Sequence, residues 1–434
     1  AWDTAKQFTQ DWIGNHPPSK NAGGWEPYPV SLRLINWSLL YGVLHRDLVE
    51  QDEVFKQQLL ESIARQVKWL ELNLETHIQA NHLLENLAAL TCVASVFQGN
   101  TRDSLLGRIF PRLQREIDEQ ILDDGMHYER SPMYHLRVLW LVEMLGAVGN
   151  SKVKAVVSGI GKKMKGALGL LRHPDGEIAQ FNDAAIDTYQ DSWRANPESG
   201  AWALPEAGYY GYRNDEGDYL AIDAGAVGPD YQPAHAHADF FSFELSLAGH
   251  RVVTDTGVGT YEIGSQRFYD RSTAAHSTVE VDGESSVEVW SGFRVGRRTE
   301  PRVLRWEPRE DGCFLEAEHC GYNHLPSRAI HRRTFEWQTA QIEIRDQITI
   351  SESVNIASRI HLAPEVEIHL VNNKAFCRTS ELAFTIELDG AGKIKLQESD
   401  SFKYFGQSQR RKILVIETLA TPPLLAWIWR LTKK

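Results

Sequence analysis

Histidine and aspartate residues cluster in one short stretch of the chain. The segment reads His235-Ala-His237-Ala-Asp239, and Asp255 and His276 follow it. Residues two apart in an extended segment project to the same face, so His235 and His237 can point toward one ligand. Imidazole nitrogens with a carboxylate oxygen suit a zinc ion. The spacing favours a zinc site, and the alternative interpretation is a pair of polar histidines on the surface of a strand.

Two helical stretches also carry polar groups that could act on a substrate. Asn81, His82 and Glu85 lie among leucines, with His82 and Glu85 one helical turn apart. Tyr134 follows Pro132, a residue that suits the first turn of a helix. Each stretch has a plainer interpretation, Asn81 as a helix N-cap among solvent-facing residues and Tyr134 as a packed ring. Spacing alone leaves both open.

The elements that must position these residues change character along the chain. Apolar residues recur at helical spacing in the stretches 55–74, 83–90, 105–121 and 136–145. After residue 205, short stretches alternate apolar and polar residues, at 219–223, 341–345, 366–370 and 393–396, with turn-rich pieces between them. We expect half-buried antiparallel strands there. The pattern predicts a helical domain over residues 1–195 and an antiparallel β-sandwich domain over 196–434.

Composition excludes several classes of protein. Of 434 residues, 42% are hydrophobic and 24% are charged, which argues against disordered and fibrous chains. The 46 Lys and Arg against 58 Asp and Glu give a net charge of −12, so the basic surface of a nucleic-acid binder is lacking. No run approaches the roughly 18 apolar residues that span a bilayer. We therefore expect no nucleic-acid partner and no membrane span, and composition leaves the oligomeric state open.

Cysteine use and the start of the chain leave the compartment open. The four cysteines show no CxxC pairing, which argues against zinc ribbons and disulfide-dense modules. Residue 1 begins in an aromatic, helix-like stretch, so a secretory signal would lie outside this sequence. A periplasmic or secreted location is the expectation, with the cytoplasm as its alternative.

Taken together and in order, these segments resemble the heparinase II/III-like polysaccharide lyases, relatives of heparan-sulfate and alginate lyases. The matching segments are 24–33, 81–82, 124–134, 180–183, 235–239, 271–283 and 290–294. The resemblance implies an α+β chain with an incomplete (α/α) toroid followed by an antiparallel β-sandwich. This order agrees with the one that periodicity predicts.

The resemblance also implies a chemistry, β-elimination at the 4-O-glycosidic bond of a uronic acid. The C5 proton becomes acidic only when the neighbouring carboxylate is neutralised, and a base and an acid must then act on C5 and on the leaving oxygen. By resemblance, Asn81 and His82 neutralise the carboxylate and Tyr134 is the acid, with a further role as base open. His235 is by resemblance a second base or charge stabiliser.

Further roles follow from the resemblance alone. It implies one structural zinc ion per chain, with His237, Asp255 and His276 as ligands. Fixing His237 would also fix His235 two residues away. Candidates for substrate contacts are Trp25, Tyr28, Arg33, Glu85, Arg130, Asn182, Asp183, Arg271 and Arg294. Aromatic rings can stack on sugar faces, and arginines can pair with carboxylates.

The expected substrate is an acidic polysaccharide with little sulfate. A net charge of −12 and no dense Lys/Arg run near these motifs argue against highly sulfated heparin, and a uronate-containing exopolysaccharide fits better. One rival hypothesis is a metal-dependent glycoside hydrolase in which zinc activates water. The other is a non-catalytic protein of the same fold that binds polysaccharide or assists its biosynthesis.

Overall fold

A computed structural model describes residues 2–19, 23–97, 102–189, 193, 197–390 and 392–434. The predicted domain boundary between residues 195 and 196 lies outside these ranges and stays a prediction. Contacts divide the chain into two compact units, one of Ala1–Ile121 with Val138–Lys162 and one of Leu122–Arg137 with Lys163–Lys434. Within the described ranges, no helix is both long and apolar enough to cross a membrane.

The first half of the chain is helical, as its periodicity predicts. The helices are α1 (Trp2–Asn15), α2 (Pro27–Leu39), α3 (Arg46–Glu50), α4 (Glu53–Leu72), α5 (Ala80–Val96), α6 (Arg102–Gln120), α7 (Pro132–Val148) and α8 (Ser151–Leu170), with a π-helical turn at Leu40–Leu44. Asp52 caps α4 by accepting a hydrogen bond from the Phe55 amide at 3.0 Å. The buried residues of α4 follow the predicted stripe through Phe55, Leu59 and Ile63. The four helical predictions, 55–74, 83–90, 105–121 and 136–145, correspond to α4 to α7.

The second half is built of antiparallel strands. They are β1 (Gly200–Leu204), β2 (Tyr209–Arg213), β3 (Tyr219–Asp223), β4 (Phe243–Leu247), β5 (His250–Val253), β6 (Val279–Val281), β7 (Val289–Trp290), β8 (Arg294–Val295), β9 (Arg302–Arg309), β10 (Gly312–Tyr322), β11 (Ala329–Gln338), β12 (Gln341–Thr349), β13 (Val354–His361), β14 (Glu367–Val371), β15 (Lys374–Arg378), β16 (Ala383–Gly390), β17 (Ile394–Tyr404), β18 (Gln407–Ala420) and β19 (Leu424–Lys433). A short helix, α9 (Ser265–Asp270), follows β5. All four predicted strands are present, as β3, β12, β14 and β17.

The strands form a layered β region within the second unit. A five-stranded sheet has the order β1-β2-β3-β4-β5, and an eight-stranded sheet has the order β14-β15-β16-β19-β12-β11-β10-β9. A four-stranded sheet, β17-β18-β13-β6, and the hairpin β7-β8 complete the described strands. Rings from the five- and eight-stranded sheets meet in one core, with Tyr212 5.0 Å from Trp337 and Phe243 5.6 Å from Phe335.

The expectation of half-buried strands is wrong for β3. All five of its residues are buried. Leu220 and Ile222 belong to the large core between the sheets. Tyr219 and Ala221 face a second cluster that includes Phe181 and residues at the end of α8. Both faces of the sheet at β3 are covered. Alternate residues of this strand therefore face two different apolar clusters, and none of them faces solvent.

Candidate active site

The two histidines of the 235–239 segment lie in the loop between β3 and β4 and bind the same carboxylate. His235 Nδ1 donates to Asp183 Oδ2 at 2.9 Å, and His237 Nε2 donates to Asp183 Oδ1 at 2.9 Å. His235 is 8% exposed and His237 is 1% exposed, which excludes the alternative that they are surface histidines. The histidines are brought together by a shared buried partner in a loop and not by the alternation of a strand.

Asp183 is the centre of this arrangement. Its carboxylate is fully buried and forms a bidentate ion pair with the Arg267 guanidinium, in which Nη2 donates to Oδ2 at 2.8 Å. Burial opposes ionisation, but the Arg267 guanidinium and the two imidazoles outweigh it and hold the pKa of the Asp183 carboxyl well below its usual range. The neighbouring Asn182 accepts a hydrogen bond from the His237 amide at 3.0 Å. Asn182 and Asp183, predicted to bind substrate, thus contact the two histidines.

Tyr134 lies in the first turn of α7, directly against His235. The two rings stack with centroids 3.7 Å apart, and the Tyr134 amide donates to Ser131 Oγ at 3.2 Å, which fixes the start of the helix. The Tyr134 hydroxyl is 3.1 Å from that of Tyr261. Burial, reinforced by Tyr261 and Asp183, raises the pKa of Tyr134 well above its usual value. The structure therefore brings together two predicted catalytic residues, with Tyr134 protonated at neutral pH.

The contacts of His235 define which of its nitrogens can accept a proton. Because Nδ1 donates to Asp183, the neutral ring carries its lone pair on Nε2. Nε2 lies 3.8 Å from Glu129 Oε2. The arrangement can combine a hydroxyl donor, Tyr134, with an imidazole acceptor, His235, in one place.

A second group of buried residues could hold a metal ion. One potential ligand atom from each of His237, Asp239 and His276 lies within 4.8 Å of the others. His237 Nδ1, Asp239 Oδ2 and His276 Nε2 are buried and have no hydrogen-bond partner among the residues that the structure describes. Burial lowers the pKa of His237 to about 4 and raises that of Asp239 to about 6, so at neutral pH the first is a neutral imidazole and the second a carboxylate. Orphaned imidazole nitrogens and a carboxylate oxygen are the atom types that suit a zinc ion.

The predicted ligand Asp255 lies next to this group. Its Oδ2 accepts a hydrogen bond from His276 Nδ1 at 2.7 Å, and its Oδ1 accepts one from the Gly257 amide at 3.1 Å. The Asp255 amide donates to Glu244 at 2.8 Å. Of the three predicted ligands, His237 and His276 are thus brought together, and Asp239 stands in the clustered group where Asp255 was expected.

Buried arginines hold the loops that carry these residues by donating to backbone carbonyls. Arg411 on β18 donates to the carbonyls of Thr254 and Asp255 at 2.9 and 3.0 Å. Arg333 on β11 donates to the carbonyls of Ser277 and Phe241 at 2.7 and 2.9 Å. Backbone carbonyls in irregular loops need donors when they are buried, and a guanidinium supplies several in a fixed geometry.

Asn81 and His82 begin helix α5 after a strained turn. Gln79 and Ala80 both have positive φ, 62° and 50°. The Gln120 side chain donates to the Ala80 carbonyl at 3.0 Å and holds this turn. Left-handed residues other than glycine cost free energy and are common at functional sites. The N-cap is Gln79, and Asn81 is 5% exposed, so the alternative interpretation of Asn81 as a solvent-facing N-cap is wrong.

The His82 ring is oriented by a carboxylate and a tyrosine. Its Nδ1 donates to Glu75 Oε1 at 3.0 Å, and the Tyr28 ring lies 4.8 Å away. Glu75 is buried and also accepts from the Asn86 amide group at 2.9 Å. Tyr28, predicted to bind substrate, therefore contacts a predicted catalytic residue. Glu85 is 1% exposed on the next turn of α5.

The other predicted substrate contacts differ in how much surface they offer. Trp25 is 3% exposed, and the Arg33 guanidinium lies 3.7 Å over the Trp12 ring while donating to the Gly24 carbonyl at 2.9 Å. Arg271 is 1% exposed and donates to the Ala236 carbonyl at 3.0 Å.

Two further arginines reach the surface. Arg130 donates to the carbonyls of Ala207 and Glu206 at 2.9 and 3.2 Å, and Arg294 is exposed on β8. Sequence reasoning missed Tyr261 and Arg267, which no motif marks. Asp239 was visible in the 235–239 segment, but its place in a cluster depends on residues far along the chain.

Comparisons with known proteins give the family. The heparinase II/III-like C-terminal family matches residues 196–427, and the heparinase II/III N-terminal family matches residues 2–210. The chain is 24% identical over 445 residues to FtsZ-localized protein C of Caulobacter vibrioides, covering 95% of this chain and 75% of that protein. It is 27% identical to the heparin-sulfate lyase of Pedobacter heparinus, covering 64% of this chain and 44% of that protein. The chain thus spans less than half the length of that curated lyase.

Solved structures give the fold. A crystal structure of heparinase III superposes with a TM-score of 0.83 at 16% identity, covering 99% of this chain and 73% of that one. A heparan sulfate lyase of Pedobacter heparinus superposes with a TM-score of 0.74 at 18% identity, covering 99% and 72%. The predicted fold class, an (α/α) toroid followed by an antiparallel β-sandwich, is confirmed. The chain belongs to the heparinase II/III-like family of polysaccharide lyases.

Proposed function

We propose that this protein is a polysaccharide lyase that cleaves a uronate-containing polysaccharide by β-elimination at the 4-O-glycosidic bond. The observation that carries the proposal is the stacked pair of Tyr134 and His235, with the imidazole fixed by the Asp183 carboxylate. The pair supplies a protonated hydroxyl and an imidazole lone pair side by side, which elimination requires. The curated relatives that are named as lyases act on heparin sulfate.

In the proposed step, Tyr134 and His235 divide the proton transfers. His235 Nε2 accepts the C5 proton, and the electron pair of that bond forms the C4–C5 double bond. The C4–O bond breaks, and the Tyr134 hydroxyl protonates the leaving oxygen. Exchange with water then restores both groups. The raised pKa of Tyr134 supports its use as the acid, because burial keeps the hydroxyl protonated.

Asn81 and His82 are proposed to neutralise the uronate carboxylate. Negative charge develops on that group as C5 loses its proton, so donors that hold the group stabilise the transition state more than the ground state. The hydrogen bond between His82 Nδ1 and Glu75 orients the ring, and the proposed role uses the imidazolium form, in which Nε2 is a second donor. The strained turn at Gln79 and Ala80 supports this role, since such strain concentrates at functional sites.

We propose that the buried group around His237 and His276 holds a zinc ion. The two imidazoles and a carboxylate, from Asp239 in the observed cluster or from the predicted ligand Asp255, would be its protein ligands. The ion would supply a fixed charge that stabilises the loop carrying His235. Since His237 also donates to Asp183, the same contacts would set the orientation of the catalytic imidazole.

Burial argues against the hydrolase hypothesis. His237, Asp239 and His276 are 1%, 4% and 0% exposed, whereas a hydrolytic metal needs an open position for water and substrate.

A non-catalytic role is the second candidate. FtsZ-localized protein C aligns over 95% of this chain, whereas the Pedobacter lyase aligns over 64%. The intact Tyr134–His235 pair favours an enzyme.

The substrate proposed is an exopolysaccharide whose charge comes from carboxylates more than from sulfate. The arginines next to the pair have protein partners: Arg267 binds Asp183, and Arg271 and Arg130 donate to backbone carbonyls. Among the residues that the structure describes, these three guanidinium groups are thus engaged by the protein itself and not by a sulfate. Because such a polymer lies outside the cytoplasm, we also propose a periplasmic or extracellular location for the protein.

The experiment is a panel of uronate polysaccharides followed by ultraviolet absorbance. Elimination creates a conjugated double bond that absorbs ultraviolet light, and hydrolysis does not. Alginate, hyaluronan, heparosan and heparan sulfate form the panel, with a parallel assay for new reducing ends. Absorbance that rises together with reducing ends supports a lyase. Reducing ends without absorbance would support the hydrolase, and neither signal on any polymer would support the non-catalytic candidate.

A further inference from the structure

Two exposed phenylalanines lie at hairpin tips next to the Tyr134–His235 pair. Phe293 is in the turn between β7 and β8 and is 41% exposed, and Phe405 is in the turn between β17 and β18 and is 40% exposed. Both rings contact Tyr261, at 5.5 and 5.2 Å between centroids. Phe293 also lies 6.1 Å from the His235 ring.

The turn that carries Phe293 is held in an unusual conformation. Ser291 has a positive φ of 54°, which costs free energy for a residue with a side chain. Two buried arginines grip the next carbonyl: Arg267 Nε and Arg271 Nη1 donate to Gly292 O at 2.9 and 3.2 Å. This turn belongs to the 290–294 motif, to which the proposed chemistry gives no role.

Arg267 also supports the rings from below. Its guanidinium lies 5.1 Å from the Tyr261 ring and 5.3 Å from the Phe293 ring, and it is fully buried by them and by Asp183. The Arg267 side chain therefore contacts both the Asp183 carboxylate, which binds His235, and the aromatic rings of Tyr261 and Phe293. Scattered exposed hydrophobic residues need no explanation, but rings held this firmly beside a catalytic pair do.

We propose that Phe293 and Phe405, with Tyr261 between them in the chain of ring contacts, form an aromatic platform that binds the sugar rings of the polysaccharide next to the bond being cleaved. The apolar C–H face of a pyranose ring stacks on an aromatic face, and such contacts carry no requirement for sulfate. The proposal rests on the proposed function, and it adds binding residues that fit a weakly sulfated polymer. It predicts that affinity depends on aromatic rings at 293 and 405.

The test separates binding from catalysis by using full-length protein with the Tyr134→Phe substitution as the parent. Binding to alginate, hyaluronan, heparosan and heparan sulfate is measured by affinity electrophoresis and calorimetry. We expect Phe293→Ala and Phe405→Ala each to weaken binding of the preferred polymer by roughly three- to tenfold, as loss of an aromatic contact would. Phe293→Tyr keeps the ring and should retain affinity, whereas Phe293→Leu keeps only apolar bulk and should not.

Phe376→Ala is the matched control. Phe376 lies on β15, is 38% exposed and lies under the Lys434 ammonium group at 5.0 Å. Its loss should leave binding unchanged, and thermal melting should show all variants folded. Full binding by both alanine variants would overturn the platform while leaving the lyase proposal intact. A parent that binds none of the polymers, with a wild type that cleaves none, would overturn both.

Discussion

The predicted catalytic residues of the two halves of the chain are held in different ways. In the loops of the β region, the buried Asp183 carboxylate binds His235, His237 and Arg267 at once. In the helical half, His82 has the Glu75 carboxylate at 3.0 Å, and its side chain is 34% exposed. Several ionic contacts thus hold the side chains around Asp183 in place. A strained backbone turn and one carboxylate hold His82. Single substitutions should therefore damage the β-region site more than the helical one.

The largest expected effect is on turnover. Tyr134→Phe removes the proposed proton donor and should lower kcat by about 10²- to 10⁴-fold while leaving binding largely intact. Steady-state kinetics on the cleaved polymer measures this. Tyr231→Phe is the control, because Tyr231 is 48% exposed and its hydroxyl donates to Tyr128 at 3.1 Å, and it should retain activity. Near-wild-type kcat in Tyr134→Phe would remove this residue from the mechanism.

Asp183→Asn should have the largest effect on stability. The substitution leaves the buried Arg267 without its counter-charge, a change that typically costs about 3–5 kcal/mol. Urea unfolding at pH 7 measures the difference from wild type. Asp230→Asn, which alters an 87% exposed carboxylate near Arg298, should leave the free energy of unfolding unchanged. Equal stability of wild type and Asp183→Asn would contradict the central role of this carboxylate.

The difference in the free energy of unfolding between wild type and Asp183→Asn should depend on pH. The folded-state pKa of Asp183 lies well below the unfolded value of 3.8, so the ionised carboxylate favours the folded state. Its contribution is complete above about pH 4 and is lost as the pH falls through the folded-state pKa. The stability difference between wild type and Asp183→Asn should therefore be constant from pH 7 to pH 5 and shrink below pH 4. A stability difference that grows on acidification would contradict a stabilising contribution from the ionised Asp183 carboxylate.

How far the sequence predicted this site depends on the distance over which each contact acts. The 235–239 segment was informative because its residues are adjacent, and helical periodicity located α4 to α7. The partner that unites His235 and His237 was predicted only as a substrate contact, since nothing local shows that Asp183 meets Arg267 84 residues later. Arg271 was predicted by resemblance to contact substrate, and nothing local shows that it is buried and donates to the Ala236 carbonyl 35 residues earlier. Burial of a charged residue is a tertiary property that spacing does not reveal.

Metal removal should have an intermediate effect. We expect about one zinc ion per chain by elemental analysis, and chelation should lower the melting temperature, because ligand binding is coupled to folding. His276→Ala should lose the metal. Comparing Asp239→Asn with Asp255→Asn identifies the ligand, since loss of a carboxylate that only orients a histidine costs about 10- to 100-fold in affinity. A metal-free protein with an unchanged melting temperature after chelation would contradict the zinc site.

The smallest effect is expected in the helical half. Glu75→Gln keeps an acceptor for His82 but removes its charge, so kcat/KM should fall by up to about tenfold. Glu71→Gln, at the penultimate residue of α4, changes a surface pair with Arg108 and should not alter kinetics. A loss of kcat/KM from Glu75→Gln as large as that from Tyr134→Phe would contradict the smaller role assigned to the Glu75–His82 contact.

Carboxyl reduction of the substrate tests the elimination chemistry most directly. A polymer that the wild type cleaves is treated so that its uronate carboxylates become alcohols, and ultraviolet absorbance and reducing ends are then followed with both forms. Elimination needs the carboxylate to make C5 acidic, so the account predicts unsaturated product from the native polymer and no cleavage of the reduced one. Appreciable cleavage of the reduced polymer would contradict β-elimination.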